Sequence, residues 1–157
     1  MIRIQALVTS AAILSVATLA FAGGHSGNPV VKARKAHMQL YGHNLGLLGA
    51  MAKGEAEYNA EAATAAANNM VALTSMSQMS YWPAGTSSDD LPDESRALPA
   101  IWEDGGFAKA VEINTAMATA AVQLAAVAGD GQAALGPALG GVGQQCGACH
   151  DDFRKPR

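Results

Sequence analysis

The stretch Cys146-Gly147-Ala148-Cys149-His150 contains the only two cysteines of this 157-residue chain. Its spacing, C-x-x-C-H, is the pattern at which c-type haem is attached. On a helix, positions i, i+3 and i+4 share one face, so the two sulfurs and the imidazole point the same way. The thiols can then form thioethers with the two haem vinyls while the imidazole reaches the iron. We therefore predict one covalently bound haem c, attached at Cys146 and Cys149, with His150 as an iron ligand.

Three other uses of a C-x-x-C pair fit the rest of the chain less well. A thioredoxin-like redox pair follows a strand in a βαβ unit, and the sequence has no run of strand type. A zinc site needs about four ligands, and no second Cys or His pair has suitable spacing. A simple structural disulfide does not need a neighbouring histidine. The haem interpretation is favoured over all three.

The first 22 residues predict an exported protein. Arg3 supplies a basic region, residues 7–20 form an almost uninterrupted apolar run, and Ala20-Phe21-Ala22 is a small-x-small cleavage site. This pattern indicates a secretory signal peptide rather than a membrane span, because the run is short and a cleavage site follows it. We expect cleavage near Ala22 and a mature domain over residues 23–157 without a membrane anchor. A periplasmic location follows, which is where haem is attached covalently.

The charge of the mature chain argues against some classes of partner and activity. Without Arg3 it has nine basic and thirteen acidic residues, a net charge of −4. Nucleic acids and anionic membranes favour a basic patch, so neither is expected as a partner. No second apolar segment is expected to span a bilayer. A Ser-His-Asp pattern, a P-loop and a Gly-rich dinucleotide motif are all missing, so we do not expect an enzyme.

The composition predicts an all-α fold. Alanine, the best helix former, is abundant, and alternating β-branched runs are missing. Helix start and stop signals include the caps Asn28, Asn59 and Asp130 and the terminating glycine Gly54. They predict four helices over residues 28–54, 59–77, 104 or 107–128, and from 130 onward. Two short connections and one long one, over residues 81–99, predict an antiparallel four-helix bundle enclosing the haem.

Pro137 lies inside the fourth predicted helix and removes the backbone bond to Ala133. The helix either kinks there or restarts with Pro137 in its first turn. Four nearby glycines, at positions 136, 140, 141 and 143, also weaken this stretch, each by roughly 0.5–1 kcal/mol relative to alanine. They either let a flat cofactor approach the backbone or simply make a poor helix, and the sequence does not choose between the two.

The order of several motifs resembles the class II c-type cytochromes, which comprise cytochrome c′ and its low-spin relatives of the cytochrome c-556 type. The most specific motif is Cys-Gly-Ala-Cys-His-Asp-Asp-Phe-Arg, over residues 146–154 on the last of four helices. Support by order comes from Val31-Lys32-Ala33-Arg34, from Ala50-Met51-Ala52-Lys53-Gly54-Glu55 and from Ile101-Trp102. The resemblance covers essentially the whole mature chain, and Pro137 departs from the family's usual fourth helix.

The resemblance implies specific roles for several residues. In this family the bundle encloses haem between the first and last helices, and His150 matches the proximal ligand. By the same match Arg34 lies near a haem propionate and Arg154 near the proximal histidine. Homodimers are common in the family, so a homodimer is also expected.

The other face of the iron decides the function, and the matching position is Met38. In the low-spin relatives a methionine there bonds the iron, and His/Met ligation raises the reduction potential, as suits an electron carrier. The favoured hypothesis is therefore a one-electron carrier with His150 and Met38 as axial ligands, serving redox partner proteins that the sequence does not name. The alternative is a five-coordinate, high-spin cytochrome c′ that binds NO or CO at an open distal site, with Met38 only packing there.

The remaining histidines and methionines are weaker candidates. His37 points about 100° and His43 about 140° around the helix from Met38, so both are expected at the surface. His25 is expected in a disordered start. Four further methionines are expected to pack in the core, namely Met70, Met76, Met79 and Met117. The acidic residues of the long connection, Asp89, Asp90, Asp93 and Glu94, are expected to form a solvated loop.

Overall fold

The computed structural model describes residues 27–156. The predicted signal peptide, its cleavage site and His25 lie outside the described residues. Four α-helices follow in order: α1 Pro29–Lys53, α2 Ala60–Ser75, α3 Gly106–Val127 and α4 Gln132–Phe153, with short 3₁₀ turns at Met79–Tyr81 and Pro99–Ile101. The described residues contain no strand, only an isolated bridge between Ala97 and Arg154. The all-α prediction is confirmed.

Local chemistry sets the ends of the first two helices where the sequence predicts them. The Asn28 side chain accepts hydrogen bonds from the backbone N–H groups of Val30 and Val31, with Pro29 at the first helical position. The Asn59 side chain accepts from Ala62 N and so caps α2. Gly54 ends α1 in the left-handed region with φ of 73°, a conformation that a residue with a Cβ adopts only at a cost.

The other two helices have glycines, Gly105 and Gly131, at their N-caps. Gly105 has φ of 81° and caps α3, while a Cβ on Gly106 would lie 2.0 Å from Ala100 O. The chain therefore starts α3 at Gly106, between the two predicted positions, because only glycine fits so close to another backbone. Gly131, not Asp130, caps α4, and that helix continues through Pro137 to Phe153. The alternative in which α4 restarts at Pro137 is wrong.

The four helices form a closed ring in which α1 contacts α2 and α4, and α3 contacts α2 and α4. Short connections reverse the chain between α1 and α2 and between α3 and α4. The Gln132 side chain donates to Ala52 O, which places the start of α4 beside the end of α1. The bundle is therefore antiparallel, as predicted. Its fully buried core is made of alanine, leucine, methionine and valine side chains, among them Leu48, Ala63, Ala67, Met70, Ala121, Leu124, Leu135 and Val142.

Helix α3 shows that the expectation of no second apolar segment long enough to span a bilayer is wrong. By length and composition alone it is long and apolar enough to cross a membrane, although the sequence analysis expected no second segment of this kind. In the structure its buried residues are Met117, Ala120, Ala121 and Leu124, and they belong to the core of the bundle. The helix therefore serves as one wall of the bundle.

The connection between α2 and α3 is a packed structure, not only a solvated loop. Asp89, Asp90 and Asp93 are exposed as predicted, but the hydroxyl residues Thr86, Ser87, Ser88 and Ser95 are buried. Glu94 accepts a hydrogen bond from the backbone N–H of Asn28, which fixes the start of α1. At its other side the connection pairs with the end of α4: Leu98 N donates to Phe153 O at 2.9 Å and Lys155 N to Arg96 O at 2.8 Å.

Candidate haem site

The C-x-x-C-H motif lies on the last two turns of α4, and all five of its residues are partly exposed. Both cysteines are free thiols. Burial raises the pKa of each thiol, so both sulfurs carry their protons at neutral pH. The thiols of Cys146 and Cys149 and the imidazole of His150 are thus presented on one helix face in the forms that thioether formation and iron ligation require.

Burial and two neighbouring cations lower the pKa of His150. Burial is the main cause that lowers the pKa of His150, and the charges of Arg154 and Arg96 lower it further, while Asp151 acts in the opposite direction. The neutral imidazole has a free lone pair, and this is the form in which histidine binds metals. Arg154 thus lies within electrostatic reach of His150. Its own backbone N–H donates to His150 O at the end of the helix.

The alternatives to haem gain no support from the described part of the chain. Within residues 27–156 no group of three or more His, Cys, Asp or Glu side chains is placed to hold a metal ion, as a zinc site would need. The two cysteines are not joined in a disulfide. No strand precedes α4 in this range, so the thioredoxin-like arrangement does not occur there.

Arg34 on α1 is a buried cation, with only 6% of its surface exposed. Its guanidinium lies 4.7 Å from the ring centre of Trp82 and 5.8 Å from that of Trp102. Arg34 Nη2 donates to Thr86 O at 2.8 Å, and Nη1 donates to Thr86 Oγ1 at 3.2 Å. The ion pairs within residues 27–156 join other residues, Lys53 with Glu55 and Lys109 with Asp152. A buried guanidinium with neutral partners can still bind an anion.

Ser95 links Arg34 to the motif helix. Its hydroxyl accepts from Arg34 Nη2 at 3.4 Å and donates to Thr86 O at 2.8 Å. Two residues further on, Ala97 forms the isolated bridge with Arg154. The same short segment thus holds both the arginine of α1 and the end of α4.

The inward face of α1 is formed by Val31, Arg34, His37, Tyr41, Asn44, Leu48 and Met51. Met38 lies beside this row and is 41% exposed. His37 is only 3% exposed, so the expectation that it is a surface residue is wrong. The reason is that α1 packs against both α2 and α4, and position 37 faces α2 and the turn that follows it. His43 is exposed as predicted.

His37 and Tyr41 form an aromatic pair. The two ring centres are 4.7 Å apart and the rings are nearly perpendicular, an edge-to-face arrangement that stabilises aromatic contacts. His37 also approaches Tyr81, with ring centres 5.9 Å apart, and its Nε2 lies 3.4 Å from Gln78 Nε2. Burial is the main cause that lowers the pKa of His37, and a hydrogen bond with the backbone of Leu73 partly opposes it.

Two of the four predictions for the other methionines are confirmed, and two are wrong. Met70 and Met117 are buried in the core, as predicted. Met76 and Met79 are exposed, so the expectation of core packing is wrong for both. They lie at the end of α2 and in the 3₁₀ turn after it, where the chain leaves the bundle.

The glycine-rich part of α4 lines an open groove of about 440 Å³ between α1 and α4. Gly136, Gly140 and Gly143 face it, opposite Gly49 and Leu45. A Cβ on any of these glycines would meet nothing within 4 Å. The motif cysteines and His150 do not line this groove.

The sequence analysis did not identify several residues that surround the site. Thr86, Ser95, Trp82, Trp102 and Tyr41 were not assigned roles at the site. The two tryptophans were the available signal, because indoles close to prolines in a connection usually pack against something.

A family model, curated relatives and a solved structure all match this chain over most of its length. The family model described as Cytochrome C′ matches residues 29–154. Cytochrome c′ of Cereibacter sphaeroides is 41% identical over 151 residues, which cover 96% of this chain and 97% of that protein. Cytochrome c-554 of the same species is 39% identical over 127 residues, covering 80% of each chain. The solved structure of cytochrome c′ from Rhodobacter spheriodes superposes with a TM-score of 0.76 at 41% identity, covering 82% of this chain and 96% of the other.

Proposed function

The chain belongs to the cytochrome c′ family, whose members bind haem c covalently, and from that premise we propose that it is a five-coordinate cytochrome c′ that binds NO or CO. The observation that carries the haem attachment is the set of free Cys146 and Cys149 thiols and neutral His150 on one face of α4, and the match to the cytochrome c′ family favours the five-coordinate state. The haem, when bound, supplies an iron that changes its oxidation state by one electron and takes up diatomic ligands.

Each residue of the site has a defined part in holding the haem. Cys146 and Cys149 would fix the ring covalently to α4, and His150 would bind the iron through its neutral imidazole. Burial, with the charges of Arg154 and Arg96, lowers the pKa of that imidazole. Arg34 presents a buried positive charge to a propionate, and its stacking on Trp82 and Trp102 leaves donors free for a carboxylate.

Two observations support an open distal face. Met38, the residue at the matching distal position, stands beside the buried row of α1 with 41% of its surface exposed. Cytochrome c′ from Alcaligenes xylosoxidans, at 27–30% identity, has been solved as one variant with carbon monoxide bound and another with nitric oxide bound. We infer that Met38 borders the distal face and restricts access without bonding the iron.

The second candidate function is one-electron transfer with Met38 as the sixth ligand. Its support is the identity of that residue, because a thioether is a soft ligand that favours reduced iron. The 39% identity with cytochrome c-554 also favours it. In this case the protein would exchange electrons with redox partner proteins and take up CO slowly or not at all.

Location and assembly follow from the same premise. We propose that the mature protein is periplasmic, with its signal peptide removed near Ala22, because covalent haem attachment takes place after export. A related cytochrome c′, 28% identical, shows a ligand-controlled dimer dissociation, so we propose a homodimer here as well. The intact mass of the purified protein tests both the cleavage site and the covalent haem, and sedimentation tests the dimer.

Absorption spectra of the oxidised, reduced, and CO-treated reduced protein decide between the two functions. The five-coordinate protein should be high-spin and shift on CO addition, and Met38→Leu should leave its spin state unchanged. Met76→Leu is the matched control, because Met76 is an exposed methionine on another element. A low-spin spectrum with a thioether-to-iron charge-transfer band, lost only in Met38→Leu, would establish the electron carrier instead.

A further inference from the structure

Tyr41 carries a buried hydroxyl near the Gln78 side chain, but no protein group is placed to complete a hydrogen bond with it. Only 5% of the residue is exposed. Among residues 27–156, Tyr41 Oη is the sole buried side-chain nitrogen or oxygen without a hydrogen bond. Leaving a buried hydroxyl without a partner costs free energy, so such groups are rare and call for an explanation. The chain keeps a hydroxyl at a place where phenylalanine would fill the same space.

The surroundings of Tyr41 place this hydroxyl at the candidate haem site. Cys146, one of the two haem attachment residues, packs against the buried cluster that contains Tyr41. Met38 is three positions earlier on α1, so the two residues are neighbours on the helix surface. The phenol therefore belongs to the cluster that one attachment residue contacts, and it lies about one helical turn from the residue at the matching distal position.

The ring of Tyr41 is also held in a fixed orientation. The edge-to-face contact with His37 fixes one side of the phenol, and His37 is itself held by the backbone of Leu73 and by Gln78. Burial raises the pKa of Tyr41 to about 12, so the hydroxyl keeps its proton at neutral pH and can donate a hydrogen bond. A fixed and protonated donor of this kind is suited to recognise an acceptor that arrives from outside the protein.

Tyr58 shows that an unpaired hydroxyl is not general in this bundle. Its Oη donates to Ala128 O at 2.8 Å and accepts from Gly131 N at 3.0 Å. That hydroxyl ties the connection between α1 and α2 to the turn between α3 and α4. The two tyrosines therefore carry the same hydroxyl group, but only the hydroxyl of Tyr58 makes hydrogen bonds.

We propose that Tyr41 is a ligand-binding residue, whose hydroxyl donates a hydrogen bond to a diatomic molecule bound at the iron on the side that Met38 borders. This inference rests on the function proposed above, because it requires an open distal face. The ligand class is a small molecule with an acceptor atom remote from the iron, such as CO or NO. The hydrogen bond slows dissociation of the ligand, and it gives the phenol a partner that the protein itself does not provide.

The test uses the ferrous holoprotein with CO as the probe and infrared spectroscopy as the readout. A hydrogen bond to the oxygen of bound CO increases electron donation from iron into the ligand and lowers the C–O stretching frequency. Tyr41→Phe should raise that frequency and speed CO dissociation about fivefold, the effect of losing one hydrogen bond worth about 1 kcal/mol. In D₂O the C–O band of the wild-type protein should move slightly, and that of Tyr41→Phe should not.

Tyr58→Phe is the matched control, because it removes a hydroxyl from a partly buried tyrosine in the connection between α1 and α2. It should lower the free energy of unfolding and leave the C–O band and the dissociation rate unchanged. The inference is overturned if wild-type protein and Tyr41→Phe bind CO with the same C–O frequency, isotope response and rate. A wild-type protein that binds no CO or NO overturns the proposed function and this inference together, and the wild-type spectra alone reveal that case.

Discussion

Replacing Arg34 by methionine should destabilise the protein through the loss of its buried contacts. Methionine keeps the aliphatic length of the side chain, so little packing is lost. The hydrogen bond to Thr86 O at 2.8 Å is charge-assisted and contributes about 1.5–2 kcal/mol, and the two longer ones contribute less. Stacking on the indoles adds about 1 kcal/mol. Burial lowers the pKa of Arg34, and relief of this desolvation offsets part of the loss.

The expected net loss is therefore about 3 kcal/mol in the free energy of unfolding. Removing the guanidinium leaves its acceptors satisfied, because Thr86 Oγ1 still donates to Pro83 O and Ser95 Oγ still donates to Thr86 O. The substitution therefore leaves no buried hydroxyl unpaired, and no further penalty is added to the expected loss. In a domain of this size 3 kcal/mol corresponds to a fall of about 10 °C in Tm.

Denaturation of the oxidised holoprotein by guanidinium chloride, followed by far-UV circular dichroism, measures the difference in the free energy of unfolding. Lys35→Met is the matched control: it removes a positive charge from the adjacent residue, which is exposed, and should change stability by less than about 0.5 kcal/mol. Arg34→Lys should lose about half as much as Arg34→Met, because lysine keeps the charge but not the planar fork. If Arg34→Met proves as stable as Lys35→Met, the buried contacts of the guanidinium contribute nothing, and the reasoning is refuted.

Two further perturbations test the energetics of the bundle. The pKa of Tyr41 is raised from 10.0 to about 12 in the fold, so the folded protein holds that proton more tightly and stability falls as pH rises from 10 to 12. The loss in the free energy of unfolding should reach about 3 kcal/mol. Urea denaturation at each pH should show this loss in the wild-type protein but not in Tyr41→Phe. The same dependence of stability on pH in both proteins would contradict the burial of Tyr41. Pro137→Ala restores a backbone N–H that can bond to Ala133 O in the interior of α4 and should stabilise the protein by about 1 kcal/mol. A lower Tm for this variant would mean that the proline ring makes contacts worth more than the bond.

Local chemistry made much of the structure predictable from the sequence. The caps Asn28 and Asn59 act through their own side chains on the next turn, so the starts of α1 and α2 follow from a few adjacent residues. The C-x-x-C-H spacing likewise needs only helical geometry to bring two sulfurs and an imidazole together. In contrast, α3 and α4 begin at glycines whose role depends on a close backbone or a turn. No pattern of caps could predict those starts.

Tertiary contacts account for the predictions that failed. His37 was expected at the surface because its angle was counted from Met38, but α1 is covered on two sides, and the buried row includes position 37. The serines of the long connection look like solvent-exposed turn residues in sequence. In the fold the connection packs onto the bundle, where Ser95 accepts from Arg34 and the backbone of Arg96 and Leu98 pairs with the end of α4. Such partners lie more than 50 residues away, beyond the range of any local pattern.

The contact of α1 with α4 has a consequence for the order in which the protein can be completed. These two helices are the first and the last in chain order, and the wall that they form cannot close until all four helices have been synthesised. Closing a loop of this length is costly in entropy and slows folding. During that interval the nascent chain presents the future inner surfaces of α1, α2 and α3 without their final partner. Helices α2 and α3 are rich in alanine, which makes the incompletely folded chain less prone to aggregation than a leucine-rich one. The late docking of α4 leaves the cysteine pair accessible until that step.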